Sequence, residues 1–196
     1  SDVYKRQGHG PFSHVVEEVM AEKRGVTHED VTRRVIEETK VKDVLSSFGF
    51  DADILSEFSL GLSPMRPKFL NEVVGGVLSV DIMDYLLRDS YFTGVEYGKV
   101  DVHRIINSFE VVQDHLALDQ AALYAFEALM VARYEMFRAV YFHRTVRAAE
   151  LMLIRAFTLA DDYLCITDTS DLQRYLSQTD EIILEDLVKI CLLYTS

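Results

Sequence analysis

At 196 residues, with 49% hydrophobic side chains, the chain is long enough to bury the core of one domain and is not a disordered sequence. A formal charge of −12 excludes a nonspecific nucleic-acid binder, because no basic field exists to release counterions. Two cysteines, Cys165 and Cys191, lack metal-type spacing and predict a reducing cytoplasm; neither a signal peptide nor an apolar run long enough to span a bilayer occurs.

Residues 1–7 and 191–196 carry no periodic or capped pattern and are expected to be non-native tails on a partial domain at 8–190. Gly8-His-Gly-Pro-Phe-Ser-His14 opens the patterned sequence. Pro11 is placed to start a helix that runs through Val15, Val16, Val19 and Met20 to a stop at Gly25. His14 and Glu17 lie one turn apart on it. Thr27 with Asp30 forms a capping box for the next helix, whose apolar stripe is Val31, Val35 and Ile36. His28 falls in its first turn, where the dipole disfavours a cationic imidazole.

Short helices are predicted over Val41–Phe48 and Asp53–Leu60 around Gly49, then a loop over Gly61–Pro67 and a short helix over Lys68–Val74. Ser79 is placed as N-cap and Gly94 as the stop of a helix with two faces. At about 100° per residue, Asp81, Asp84, Tyr85, Arg88 and Asp89 share one face and Ile82, Met83, Leu86 and Leu87 the other. A solvated surface helix is one reading of that pattern. The other is a site: three short Asp side chains, a Tyr and an Arg are geometrically defined groups suited to a metal, a phosphate or sugar hydroxyls.

Asp101–Asn107 predicts a helical turn, and Phe109–Gln113 with Leu116–Leu118 a small hairpin around Asp114-His115. No Gly or Pro follows Gly98, so Asp119 to about Tyr163 reads as one or two long helices, with two more pieces at Leu172–Leu176 and Glu181–Ile190. Arg133, Tyr141 and Arg144 fall within one sector of that long run, amid apolar neighbours. A buried Arg there requires an anion, either a carboxylate of this chain or a ligand phosphate. The spacing of His9, His14 and His28 matches no zinc signature, and no phosphate loop, nucleophile elbow or Cys-His pair is present.

Gly8-His-Gly-Pro-Phe-Ser-His14, Asp81-Ile-Met-Asp-Tyr-Leu-Leu-Arg-Asp89, Arg133…Tyr141-Phe-His143 and Ala160-Asp-Asp-Tyr163 occur in that order. Together they resemble the HD superfamily, in particular its dNTP triphosphohydrolase branch, over nearly all of residues 8–190. The resemblance implies a mainly α, HD-domain-like helical bundle with a small β-hairpin. It implies hydrolysis of nucleotide phosphoesters, above all of a dNTP to deoxynucleoside and triphosphate, at a divalent metal ion (Mg, Mn, Fe, Ni or Zn). Asp81 matches a metal ligand of that family. His9, His14 and His28 match its active-site histidines, with Glu17 as an acidic partner. Tyr85 and Asp89 would meet the sugar, Arg133 the phosphates, and Tyr141 the sugar pocket, with His143 close by. A homo-oligomeric parent protein without membrane attachment is expected.

Two departures bear on this. The family's first His and His-Asp dyad are absent; the dyad would fall on Lys5 and Arg6, so one of four metal ligands is kept and the 196-residue chain is expected to bind no metal and to be inactive. Ile82 stands where a basic phosphate-binding residue is frequent, which leaves a monophosphate or other phosphoester open. The alternative from another class is a non-catalytic helical module whose Arg133 face binds a nucleotide or a protein.

Overall fold

The computed structural model describes residues 8–65 and 67–194. Residues 1–7, Lys5 and Arg6 among them, lie outside the described residues, as do 195 and 196. In chain order the elements are α1 (His14–Arg24), α2 (His28–Glu38), α3 (Lys40–Ser47), α4 (Ala52–Ser59), α5 (Phe69–Gly75), α6 (Val80–Thr93), α7 (Val102–Ile106), β1 (Phe109–Val112), β2 (His115–Leu118), α8 (Leu123–Met136), a π-helical turn (Phe137–Tyr141), α9 (Arg144–Leu164), α10 (Leu172–Ser177) and α11 (Asp180–Tyr194). The fold is mainly α, with one antiparallel hairpin among the described residues. No helix of the described residues is long and apolar enough to cross a membrane. Contacts divide the described residues into two compact units, one formed by residues 8–53 and 148–194, the other by residues 54–65 and 67–147.

In the first unit, the apolar stripe of α1 places Val16 and Val19 against Phe157, Ile166 and Ile183, all fully buried. Met20 joins Val31, Val35, Leu172 and Tyr175 in a second cluster. Each such side chain stabilises the fold by about 2 kcal/mol through burial alone. Gly25 ends α1 in the left-handed conformation at φ 64°. The Thr27–Asp30 capping box is present in both directions, as the sequence predicts. The start of α1 differs from expectation: it begins at His14, not Pro11, because Phe12 and Ser13 sit at φ 54° and 41°. Asp180 accepts a hydrogen bond from the Phe12 backbone N–H at 2.8 Å, and the Phe12 ring packs 5.4 Å from Phe157. Those tertiary contacts hold two non-glycine residues in a sparsely populated region and delay the helix.

In the second unit, α6 buries Ile82, Met83 and Leu86 against Ile105, Leu129 and Met136. Leu87, expected on that face, is 38% exposed. Its 100° offset from Leu86 carries it past the edge of the core. Gly94 stops the helix at φ 71°. Ser79 holds the N-cap position but caps no backbone N–H; its hydroxyl is donated instead to Asp81. The hairpin turn is Gln113-Asp114, one residue earlier than predicted, with both residues at positive φ (51° and 67°) as a two-residue turn of right-handed strands demands. His115 is thereby paired with Val112 as the first residue of β2. The predicted sector of Arg133, Tyr141 and Arg144 does not survive. The π turn and the break at Phe142-His143 change the helical phase, and Arg144 starts a new helix with its side chain exposed.

Candidate active site

Glu17 is the hub of the first unit's polar cluster. It projects from the first turn of α1, half-buried, and each carboxylate oxygen meets a different imidazole: His14 Nδ1 lies 3.3 Å from Oε2, and His28 Nδ1 contacts Oε1. The hydrogen bonds from His14 and His28, in that order, hold the Glu17 carboxyl far below the usual carboxylate range despite partial burial. The His9 ring lies flat on His28, with centroids 4.2 Å apart and planes 12° from parallel, and stands edge-on to His14 at 5.1 Å. His28 is largely buried, whereas the His14 side chain is 81% exposed. The turn of His14 Nδ1 toward a carboxylate orients the ring, as acid–base histidines are oriented. Residues separated by nineteen positions in sequence are thus gathered around one carboxylate.

A buried support lies at the other end of α1. Asp161 of α9, 2% exposed, accepts from the Thr167 N–H (2.9 Å), the Thr167 hydroxyl (2.7 Å) and Lys23 Nζ (3.3 Å). Burial pushes its pKa up, but the Thr167 donors and Lys23 outweigh it and the net shift is downward. The Ala160–Tyr163 stretch therefore contributes a bridge that pins the helix carrying His14 and Glu17.

In the second unit, Asp81, Tyr85 and Asp89 form one row along α6 at four-residue intervals, all partly buried. Tyr141, delivered by the π turn, donates its hydroxyl to Asp89 at 2.7 Å and stands 6.2 Å from Tyr85, edge to face. Burial, and then the Asp89 carboxylate, raise the Tyr141 pKa well above the usual value, so it stays a neutral donor. Arg133 is half-buried, with its guanidinium 5.8 Å from the Phe137 ring centroid. His143 is exposed just ahead of α9. Asp84 and Arg88, placed by the sequence on the same face, pair with each other at 2.7 Å on the surface instead.

Asp81 supplies one carboxylate, already accepting the Ser79 hydroxyl, and the sequence puts two cations, Lys5 and Arg6, where the resemblance asks for a His-Asp dyad. That set does not suit a divalent transition ion. His9, His14 and Glu17, by contrast, each offer one ligand atom, all within 4.8 Å of one another, a grouping their sequence spacing does not disclose. Sequence reasoning also missed Thr32, Lys23 and Tyr175, which touch the cluster or its supports. Thr32 and Tyr175 lie within apolar helical stripes, and nothing local marks them as more than core.

Comparison with known proteins gives the arrangement its relatives. Residues 100–188 match the family described as the HD associated region. The uncharacterized protein YwfO of Bacillus subtilis is 34% identical over 93% of this chain and 42% of its own length. The deoxynucleoside triphosphate triphosphohydrolase SAMHD1 homolog of Dictyostelium discoideum is 30% identical over 90% of this chain and 36% of its own length. Among solved structures, a hypothetical protein from Aquifex aeolicus superposes with a TM-score of 0.81 at 33% identity, covering 95% of this chain and 50% of that one. A phosphohydrolase from Bacteroides thetaiotaomicron superposes with a TM-score of 0.65 at 32% identity, covering 87% of this chain and 41% of that one. The chain thus spans half or less of the length of each of these proteins. Residues 100–188 thus resemble the HD associated region, and over most of its length the chain is similar to proteins that include a phosphohydrolase and a deoxynucleoside triphosphate triphosphohydrolase homolog.

Proposed function

We propose that the longer protein represented by this chain hydrolyses nucleotide phosphoesters, and dNTPs in particular, to deoxynucleoside and triphosphate. The observation that carries this reading is the Glu17 hub, which orients two imidazoles by their Nδ1 atoms, one of them the exposed His14. Water attacks the α-phosphorus, the bond to the 5′ oxygen breaks, and that oxygen takes its proton from His14. His9 and His28 flank the same site. Arg133 offsets phosphate charge. For the sugar the proposal assigns Tyr85, Tyr141 and Asp89, where the neutral Tyr141 hydroxyl and the Asp89 carboxylate offer a donor and an acceptor, together with His143. The name of the Dictyostelium relative supports the choice of dNTP. Asp81 would be one ligand of a divalent metal in the longer protein, and such an ion would supply Lewis-acid chemistry there.

Chromatographic separation of products after incubating the longer protein with each dNTP and Mn²⁺ tests the proposal. Deoxynucleoside and intact triphosphate are expected, with His14→Ala lowering kcat by about 10²-fold or more and Arg133→Ala acting mainly on KM. The 196-residue chain is expected to release neither product. Turnover by that short chain, or stepwise release of orthophosphate by the longer protein, would sink the reading.

A further inference from the structure

The segment that carries His9 has no helix to hold it. It precedes α1, and the two residues that lead into that helix, Phe12 and Ser13, are at positive φ. Even so, the His9 ring is parallel to His28 and in stacking contact with it. Something else must fix the backbone on either side of His9.

Two buried hydroxyls from distant helices meet that backbone. The Gly8 N–H donates to Thr32 Oγ1 at 3.0 Å, and Thr32 sits one turn beyond His28 on α2. The Tyr175 hydroxyl, from α10, donates to the Gly8 carbonyl oxygen at 3.2 Å. The spaces beside both glycines are closed. A Cβ on Gly8 would lie 2.1 Å from the His28 carbonyl oxygen and 2.4 Å from the Thr32 nitrogen, and a Cβ on Gly10 would lie 2.7 Å from the Tyr175 hydroxyl. The chain is held against the same helix that presents His28, so the stack of the two imidazoles follows from the placement of the main chain.

We infer that Tyr175, acting with Thr32, is a positioning residue: it locks Gly8-His9-Gly10 against α2 so that His9 is held flat on His28. Tyr175 is 2% exposed and its ring fills the cluster of Met20, Val31, Val35 and Leu172. That packing explains the ring but not the hydroxyl, which costs free energy to bury unless it is hydrogen-bonded. Burial, and then the charge of Glu17, push its pKa up to about 12, so it remains a donor across the working range. The inference rests on the proposed function only for the purpose the stack serves; the clamp itself is a property of this chain.

The experiment uses the 196-residue chain, and none of its readouts needs turnover. Tyr175→Phe removes the hydroxyl and keeps the ring. Amide exchange at Gly8 and His9 is expected to quicken about fivefold, as for loss of one hydrogen bond, while amides of α1 and α2 stay as they were. The ring-proton shifts that His9 owes to stacking on His28 should shrink in the same variant. Gly10→Ala should disturb those signals more strongly, and Tyr175→Phe added to Gly10→Ala should return them part of the way, because the atom nearest the new Cβ is gone. Wild-type exchange and ring shifts in Tyr175→Phe would overturn the inference. So would uniform acceleration throughout the unit, or a double variant no better than Gly10→Ala. Failure of the longer protein to cleave dNTPs would leave these outcomes unchanged and would count against the function alone.

Discussion

In residues 8–53, three imidazoles crowd one carboxylate, and hydrogen bonds and ring contacts join the first turns of α1 and α2 to the irregular segment that carries His9. In residues 54–147, Asp81, Tyr85 and Asp89 ride a single row of α6, and their placement is inherited from the apolar side of that helix packing on Ile105, Leu129 and Met136. The first arrangement is sensitive to protonation. The second is sensitive to volume. The two clusters, each within its own unit, can be broken by different substitutions.

The largest effect is expected from volume. Leu86 is fully buried on α6, and Leu86→Ala leaves a cavity beneath the row it supports, at a cost of about 3 kcal/mol in urea unfolding. The loss should be the same at pH 5 and pH 8, since no titrating group is removed. Next is Glu17→Gln, which exchanges two charge-assisted hydrogen bonds for neutral ones and should cost about 2 kcal/mol near pH 5. Its sign with pH is fixed. The folded carboxyl sits below the ordinary 4.5, so its contribution is complete above that pH and is lost as pH falls toward the folded value. The gap between wild type and Glu17→Gln should therefore hold above about pH 5 and narrow steadily as the pH falls below the ordinary 4.5. A gap that stayed constant there would deny the carboxylate its role as hub. Tyr141→Phe comes third, at about 1 kcal/mol for one hydrogen bond to Asp89, with no pH dependence from neutral to pH 9, because the hydroxyl remains protonated throughout.

The sequence disclosed what is decided within a few residues. The Thr27–Asp30 box, the stops at Gly25 and Gly94, and the buried triad of Ile82, Met83 and Leu86 all follow from local stereochemistry or a single helical period. The hairpin was legible to within one residue of its turn. Hidden were the features set by partners far along the chain. Phe12 and Ser13 resist the helix because Asp180 and Phe157 hold Phe12 from 168 and 145 positions away. The π turn ahead of His143 has no Gly or Pro to announce it, so the helical wheel carried Arg144 onto a face it does not occupy. For the candidate site, the resemblance nominated His9, His14, Glu17 and His28, and the fold brings those four side chains together. It gave no hint of Tyr175, whose contact with Gly8 spans 167 positions.

The smallest expected effect separates two kinds of carboxylate on one helix. Asp84 and Asp89 look equivalent in sequence, both short acids on the polar side of α6. Asp84 meets Arg88 four residues on, at 2.7 Å, with 56% and 43% of the two side chains exposed. Water and salt screen that pair, and each side chain gives up rotamer freedom to form it, so Arg88→Ala should cost no more than about 0.5 kcal/mol and less still in 1 M salt. Asp89 is partly buried and accepts from Tyr141 across 52 positions of sequence, so Asp89→Ala strands a hydroxyl and should cost about 1 to 2 kcal/mol regardless of salt. A salt titration of both variants is the measurement. If Arg88→Ala proved the costlier, the row of Asp81, Tyr85 and Asp89 would lose its claim to be the organised face of α6.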